Sequence, residues 1–174
     1  MIRTFKERLC LLMLIRYARQ EDIPAINKIY NQAVLNTVGT LDTEPKSIEN
    51  QKVWFFEHSK RYPVFVVVNL HKEVIGWGSL SKWSPKRGYF QTGEVSIYIK
   101  ENFQGKGLGN KLLKKIIDHG QKSTLHTILA RVASENLASL HLHRKHGFQL
   151  IGVMKEVGFK FGRHVDIHLL QLLV

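Results

Sequence analysis

The most regular pattern in the chain is an alternation of apolar and polar residues that runs into a glycine-rich turn and then a helix. In residues 94–100, Val95, Ile97 and Ile99 share one face, which is the period-two signature of a half-buried strand. From Leu108 to Ile117 the apolar residues recur at helical spacing, which predicts an amphipathic helix. The pattern therefore predicts a strand, a flexible turn and a helix in direct succession.

Hydrophobic periodicity divides the rest of the chain in the same way. It predicts strands at residues 14–18, 64–70, 74–81, 127–133 and 149–158 and at the chain end, and helices at residues 23–34, 47–60, 108–122 and 136–145. Asp22 is a candidate N-cap for the first helix. The order βααβββαβαββ predicts an α/β fold with a mixed β-sheet flanked by helices.

The length of 174 residues suits one domain with a good core and is too short for two. Residues 13–16 begin with a methionine that leads directly into the first predicted strand, a pattern typical of the start of a domain. We therefore expect an N-terminal extension at residues 1–12 and a single domain at residues 13–174.

The charge balance is strongly basic, with 26 Lys and Arg against 14 Asp and Glu and a formal net charge of +12. Such an excess favours an acidic partner, either nucleic acid or a phosphate-rich cofactor. The sequence contains no recognition helix, zinc pattern or RNP motif, so we expect no nucleic-acid binding.

The single cysteine, Cys10, allows no intrachain disulfide, and no apolar run reaches membrane-spanning length. We expect a cytoplasmic protein that does not bind membranes.

The glycine-rich turn is suited to binding an anion. Gly105, Gly107 and Gly109 occupy alternate positions, so the backbone can approach a ligand closely and adopt positive φ. The helix that follows presents unpaired amides and the positive end of its dipole. The spacing excludes a P-loop, because Gly107 follows Lys106 where a Ser or Thr would be required, and it excludes a dinucleotide fingerprint, because Asn110 replaces the third glycine. A turn that binds no ligand is the alternative.

With the pattern Gln-x-x-Gly-x-Gly at residues 104–109, the chain resembles the GNAT superfamily of acetyl-CoA-dependent N-acetyltransferases, whose pyrophosphate loop has this form. A second GNAT motif follows about 30 residues later, and its matching positions are Asn136, Ser139, His143, Gly147 and Phe148. The resemblance implies a GNAT-like mixed sheet.

Three further segments resemble the phosphinothricin, methionine sulfone and methionine sulfoximine acetyltransferases: residues 30–45, the strand with Glu94, and residues 157–172. This resemblance implies an acyltransferase that moves an acetyl group from acetyl-CoA, without a metal, to the α-amine of a small amino-acid analogue, as in detoxification. We also expect a homodimer. Another small amine, a protein N-terminus, a polyamine or an aminoglycoside remains open as the acceptor, and so does a non-catalytic acetyl-CoA sensor.

The resemblance also implies which residues contact each substrate. Those implied for acetyl-CoA are Ile97, Tyr98, Ile99, Gln104, Gly105, Lys106, Gly107, Leu108, Gly109, Asn110, Asn136 and Ser139. Those implied for the acceptor are Trp83, Ser84, Pro85, Lys86, Glu94, Val95 and Ser96, and the aromatic residues Tyr30 and Tyr89 are candidates for the pocket wall. The chain departs from its relatives in carrying Ser84 in place of an arginine and His164 in place of a tryptophan.

Glu94 and His143 are the candidate catalytic residues. An α-ammonium group must lose a proton before it attacks a thioester, and we expect Glu94 to accept that proton through a water. Backbone N–H groups of residues 97–99 would stabilise the oxyanion. His143 takes the place of the tyrosine that protonates the leaving thiolate in many relatives, although a packing role is the alternative. His141, His143 and His146 do not share one helical face, so we expect no metal site. For Asn136, helix capping is the alternative role.

Overall fold

The computed structural model describes residues 13–174, so the predicted extension at residues 1–12 and Cys10 lie outside the described residues. The strands are β1 (Leu14–Tyr17), β2 (Val64–Val68), β3 (Val74–Lys82), β4 (Thr92–Ile99), β5 (Thr127–Ala133), β6 (Gln149–Lys160) and β7 (Arg163–Leu173), and the α-helices are α1 (Ile23–Asn36), α2 (Ile48–Phe56), α3 (Leu108–Lys122) and α4 (Leu137–Lys145). The predicted order βααβββαβαββ is confirmed.

The seven strands form one mixed sheet in the order β1-β2-β3-β4-β5-β7-β6. Every neighbouring pair is antiparallel except β4 and β5, which run parallel. Strands β1 and β6 are therefore the two edges of the sheet.

Helices cover both faces of the sheet, so the core has two layers. On one face, Leu112, Leu113 and Ile116 of α3 pack against a cluster that includes Phe65 and Ile128. On the other face, α1 packs against a cluster that contains Val66 and Trp77. All five residues of β2 are buried because both of its faces are covered.

Two predicted elements end two or more residues earlier than expected. The second helix ends at Phe56 rather than near Lys60, and a ring nitrogen of His58 then bonds the carbonyl of Trp54 at 2.7 Å. Strand β2 ends at Val68, because the side chain of Asn69 accepts hydrogen bonds from the amides at positions 71 and 73 and forms the turn. Both corrections come from side chains that bond the local backbone.

Asp22 lies at the predicted N-cap position, but its side chain does not cap α1. Its side chain makes no cap hydrogen bond to α1. Instead, the buried carboxylate accepts two hydrogen bonds from Arg16 at 2.7 and 2.9 Å and one from the amide of Arg19 at 2.7 Å. These contacts tie β1 to the start of α1.

Across residues 13–174, none of the helices has the length and apolar character to cross a membrane.

Candidate functional site

The site is a wedge between the parallel strands β4 and β5. The two strands pair only from Thr92–Glu94 to Thr127–Leu129. Beyond that point β4 stays paired with β3 as far as Ile99, and β5 stays paired with β7 as far as Ala133. Both facing strand edges therefore border a cavity of about 1520 Å³ whose lining includes Ser96–Ile99 and Ala130–Ala133. Such unpaired strand edges offer backbone hydrogen bonds to a ligand.

The glycine-rich loop forms one end of this wedge. Gly105 has φ of +69° and Gly107 has φ of +80°, a backbone conformation that favours glycine. The side-chain amide of Gln104 donates to the carbonyl of Ile99 at 3.0 Å and ties the loop to the end of β4. Gly109 lies within α3, where an added Cβ would lie 3.2 Å from Leu142 of α4. The first amides of α3 have no acceptor within the helix, so this end of the wedge attracts anions.

Nearly all the residues predicted to contact a cofactor come together here. The cavity is lined by Ile97, Tyr98, Ile99, Gln104, Gly105, Gly107, Leu108, Gly109, Asn110, Asn136 and Ser139. Lys106 is the exception, because it is outside the lining and its ammonium group donates to the carbonyl of Asn102 at 2.7 Å.

Glu94 lies where the two strands separate, and its carboxylate is held by a residue that the sequence interpretation missed. Arg131 of β5 donates to both oxygens of Glu94, at 2.6 and 2.8 Å. The Glu94 side chain is 15% exposed and that of Arg131 is 54% exposed. The hydrogen bonds to Glu94 raise the pKa of Arg131, so the guanidinium stays charged. The pair fixes the orientation of the carboxylate at the mouth of the wedge.

His143 of α4 lines the same cavity and is only 4% exposed. Its Nδ1 bonds the carbonyl oxygen of Ser139 at 2.8 Å. Because a carbonyl can only accept, Nδ1 carries the proton and Nε2 carries the lone pair. Within residues 13–174, Nε2 has no hydrogen-bond partner. Burial lowers the pKa of His143, so the neutral ring accepts, rather than donates, at Nε2.

Asn136 combines a capping role with a place at the site. Its side-chain oxygen accepts a hydrogen bond from the amide of Ser139 at 3.1 Å, which caps α4. The residue also lines the cavity. The alternative role considered for Asn136 is therefore present, and it is compatible with contact to a ligand through the rest of the amide.

An aromatic wall closes the side of the wedge that faces α1. The hydroxyl of Tyr30 donates to Asp42 at 2.6 Å, and the rings of Tyr30 and Tyr98 meet edge to face at 5.2 Å. Burial raises the pKa of both hydroxyls, so both phenols stay neutral. Ser96 and Val95 also line the cavity.

The structure does not bring the β3–β4 loop into the cavity. Trp83, Ser84, Pro85, Lys86 and Tyr89 were all predicted to meet the acceptor, yet none belongs to its lining. Tyr89 is 47% exposed. Trp83 has an indirect link to the site, because the guanidinium of Arg131 lies 5.5 Å from the centre of its ring. Contact between this loop and an acceptor remains a prediction.

The loop after α1 is a second part of the site that sequence analysis missed. Residues 37–42 line the cavity and are held by the β6–β7 hairpin. The buried ammonium group of Lys160 donates to the carbonyls of Thr37 and Thr40, each at 2.8 Å. Gly158 packs against Leu41 so closely that an added Cβ would lie 2.6 Å from it. A lysine within the otherwise apolar and aromatic run of residues 157–161 was the available signal.

In the described part of the chain, no three His, Cys, Asp or Glu side chains are grouped as a metal site.

Comparison with known proteins gives a consistent result. The family described as "Acetyltransferase (GNAT) domain" matches residues 15–169. The L-methionine sulfoximine/L-methionine sulfone acetyltransferase of Pseudomonas aeruginosa is 39% identical over 159 residues, which covers 91% of this chain and 92% of the relative.

Two solved structures share both fold and sequence with the chain. A putative acetyltransferase from Salmonella typhimurium, solved with its cofactor acetyl-CoA, superposes with a TM-score of 0.89 at 37% identity and covers 93% of this chain and 94% of that one. A phosphinothricin acetyltransferase from Sinorhizobium meliloti in complex with acetyl-CoA gives a TM-score of 0.91 at 30% identity and covers 94% and 89%. The wedge, the glycine-rich loop and these matches agree, and the chain belongs to the GNAT family of acetyltransferases.

Proposed function

We propose that the protein transfers an acetyl group from acetyl-CoA to the α-amine of a small amino-acid analogue of the methionine sulfone, methionine sulfoximine or phosphinothricin type. The observation that carries this proposal is the wedge between β4 and β5, which has an anion-binding loop at one end and the Glu94 carboxylate where the strands part. Support for the acceptor class comes from the named relatives, which act on such analogues.

The residues of the wedge fit acetyl-CoA. Backbone amides around Gly105 and Gly107 and the start of α3 would bind its diphosphate. The open edge of β4 at Ile97–Ile99 would pair with the amides of its pantetheine arm, which needs matched donors and acceptors. Asn136 would add a side-chain amide at the same surface.

The reaction assigns a distinct role to Glu94. An α-ammonium group is mostly protonated at neutral pH, and Glu94 would accept its proton through a water. The free nitrogen lone pair then attacks the thioester carbonyl carbon, the carbon–sulfur bond breaks, and the thiolate leaves with the bonding electrons. Both Glu94 oxygens bond Arg131, but a carboxylate has about four lone-pair sites, so acceptor capacity remains.

His143 is the second proposed catalytic residue. Its neutral ring holds a lone pair at Nε2, so it must gain a proton before it can give one to the thiolate. The α-ammonium group loses two protons in each turnover, one to Glu94 before attack and one from the nitrogen of the tetrahedral adduct. The second proton is the one that the reaction itself supplies for His143 to pass to the thiolate.

An assay of thiol release tests the proposal. We expect release from acetyl-CoA with methionine sulfone, methionine sulfoximine or phosphinothricin, and much less with a polyamine, an aminoglycoside or a peptide N-terminus. We expect Glu94→Gln to lower kcat by about 100-fold, in the range for loss of a general base, with acetyl-CoA affinity by calorimetry unchanged. Glu44→Gln, at an exposed loop carboxylate outside the cavity lining, is the matched control. Full activity of Glu94→Gln would remove Glu94 from the mechanism.

We further propose that the protein is a homodimer in the cytoplasm and detoxifies amino-acid analogues. The edge strand β6 supports the dimer, because Leu150, Ile151, Val157 and Phe159 are each 46–60% exposed. An unpaired edge with this many apolar side chains is suited to pairing with a second copy.

A further inference from the structure

A smaller cavity of about 100 Å³ lies beside the main one, and we call it the polar chamber after Lys46, Gln51, Trp77, Ser79 and Ser81, which line it. Tyr30, Ser81, Ser96 and Tyr98 line both cavities. The polar chamber therefore adjoins the main cavity on the side where the acceptor is proposed to bind.

Strand register places the polar chamber directly beside the row of β4 side chains that begins with Glu94. On β4, Glu94, Ser96 and Tyr98 follow one another along one face, and on β3 their direct partners are Ser81, Ser79 and Trp77. Neighbouring strands lie about 4.8 Å apart. The side chain of an acceptor whose amine lies near Glu94 therefore reaches the chamber by extending over that distance, from β4 to β3.

Three polar atoms in the polar chamber are buried without a partner. Gln51 is 2% exposed, Trp77 is 2% exposed and Ser79 is 1% exposed. Gln51 Oε1, Trp77 Nε1 and Ser79 Oγ have no hydrogen-bond partner anywhere in residues 13–174. Buried polar atoms are nearly always bonded, and three such atoms around one space indicate a polar occupant.

The polar chamber offers mainly donors. Trp77 Nε1 can only donate, and the hydroxyl of Ser79 can donate. The ammonium group of Lys46 adds positive charge 4.9 Å from the centre of the Tyr30 ring, and the Lys46 backbone is fixed by Asn31 through hydrogen bonds of 2.8 and 2.9 Å. Gln51 can present either end of its amide, so an occupant rich in acceptor atoms is favoured.

We propose that the polar chamber binds the end of the acceptor's side chain, a compact group in which sulfur or phosphorus carries two oxygen or nitrogen atoms. This inference rests on the proposed function and adds to it the site that selects the acceptor. The volume equals that of about three waters at about 30 Å³ each, which suits a sulfonyl, sulfoximine or phosphinate group. The α-carboxylate of an acceptor is only two bonds from its amine and stays in the main cavity.

Two acceptors that differ only in the group concerned provide the test. L-Methionine sulfone carries two sulfonyl oxygens that L-methionine lacks, so a comparison of their KM values isolates the polar chamber. Trp77→Phe removes the N–H and keeps an aromatic ring against Tyr30 and Tyr98. Ser79→Ala removes only the hydroxyl and is the second test variant, to be used if Trp77→Phe fails to fold. For either variant we expect KM for the sulfone to rise about tenfold and KM for L-methionine to stay within twofold, with acetyl-CoA affinity unchanged.

Ser134→Ala is the matched control, because Ser134 Oγ is also buried and unpartnered within residues 13–174 but lies outside both cavities. Equal losses for both acceptors, or no change for the sulfone, would overturn the inference and leave a chamber that binds solvent only. If the wild-type protein releases no thiol with any acceptor, the proposed function fails first and the inference fails with it, so the two failures are distinguishable.

Discussion

At the scale of single residues, the most informative contact is the pair formed by Glu94 and Arg131. Arg131 is half exposed, yet its Nε and NH2 groups each donate to a different oxygen of Glu94. A planar fork that meets a carboxylate in this way fixes both its position and its plane. Arg131 therefore serves as a positioning residue for the proposed base rather than as a second base.

Arg131→Lys tests this role, because lysine keeps the positive charge and loses the fork. We expect kcat for methionine sulfone to fall about tenfold, since a loosened carboxylate meets the amine in fewer productive orientations, while KM for acetyl-CoA stays within twofold. Steady-state kinetics of the purified variant measure both values. Arg144→Lys, at an exposed position on α4, is the control. A parallel loss of kcat and melting temperature would indicate a structural role instead.

At the scale of secondary structure, the glycine-rich loop shows how one backbone conformation creates a site. Gly107 immediately precedes α3 with φ of +80°, and an added Cβ would meet no atom within 4 Å. An alanine there is disfavoured by its backbone alone, by about 1–2 kcal/mol. The loop thus depends on glycine for its shape rather than for space.

For Gly107→Ala we expect the affinity for acetyl-CoA to fall between about fivefold and thirtyfold, which corresponds to about 1–2 kcal/mol. Isothermal titration calorimetry provides the measurement. The control is Gly152→Ala, since Gly152 has no atom within 4 Å of an added Cβ and does not have positive φ. Unchanged affinity in Gly107→Ala would show that the loop does not need this conformation to bind the cofactor.

The elements were predictable because their signals are local, whereas parts of the site depend on long-range register. The helix at Leu108–Lys122 and the strand at Thr127–Ala133 have the predicted bounds, since the periodicity of their apolar residues is regular. Arg131 could not be assigned from the sequence, because its contact with Glu94 requires the parallel pairing of Glu94 with Leu129. The same holds for Lys160, which reaches Thr37 across 123 positions of the chain.

At the scale of the whole molecule, the sheet has two edges of unequal character. β1 is a strand of four residues and β6 is a strand of 12. Along β6, Gly158 and Lys160 are buried while Phe159, between them, is 60% exposed. Gly158 and Lys160 contact the loop at residues 37–42, while Ile151 and Phe159 are each more than half exposed along the same strand. An edge of this length that carries exposed aromatic side chains is suited to association.

Phe159→Asp tests the proposed dimer at this edge. We expect the wild-type protein to elute with twice the mass of the 20.1 kDa chain and the variant to elute as a monomer, because two carboxylates would face each other across a twofold axis. Size-exclusion chromatography with light scattering gives the masses. Phe56→Asp is the matched control, since Phe56 is 62% exposed at the end of α2, a helix that packs against α1. A Phe159→Asp protein that remains dimeric would move the interface away from β6, and a monomeric wild-type protein would exclude the dimer altogether.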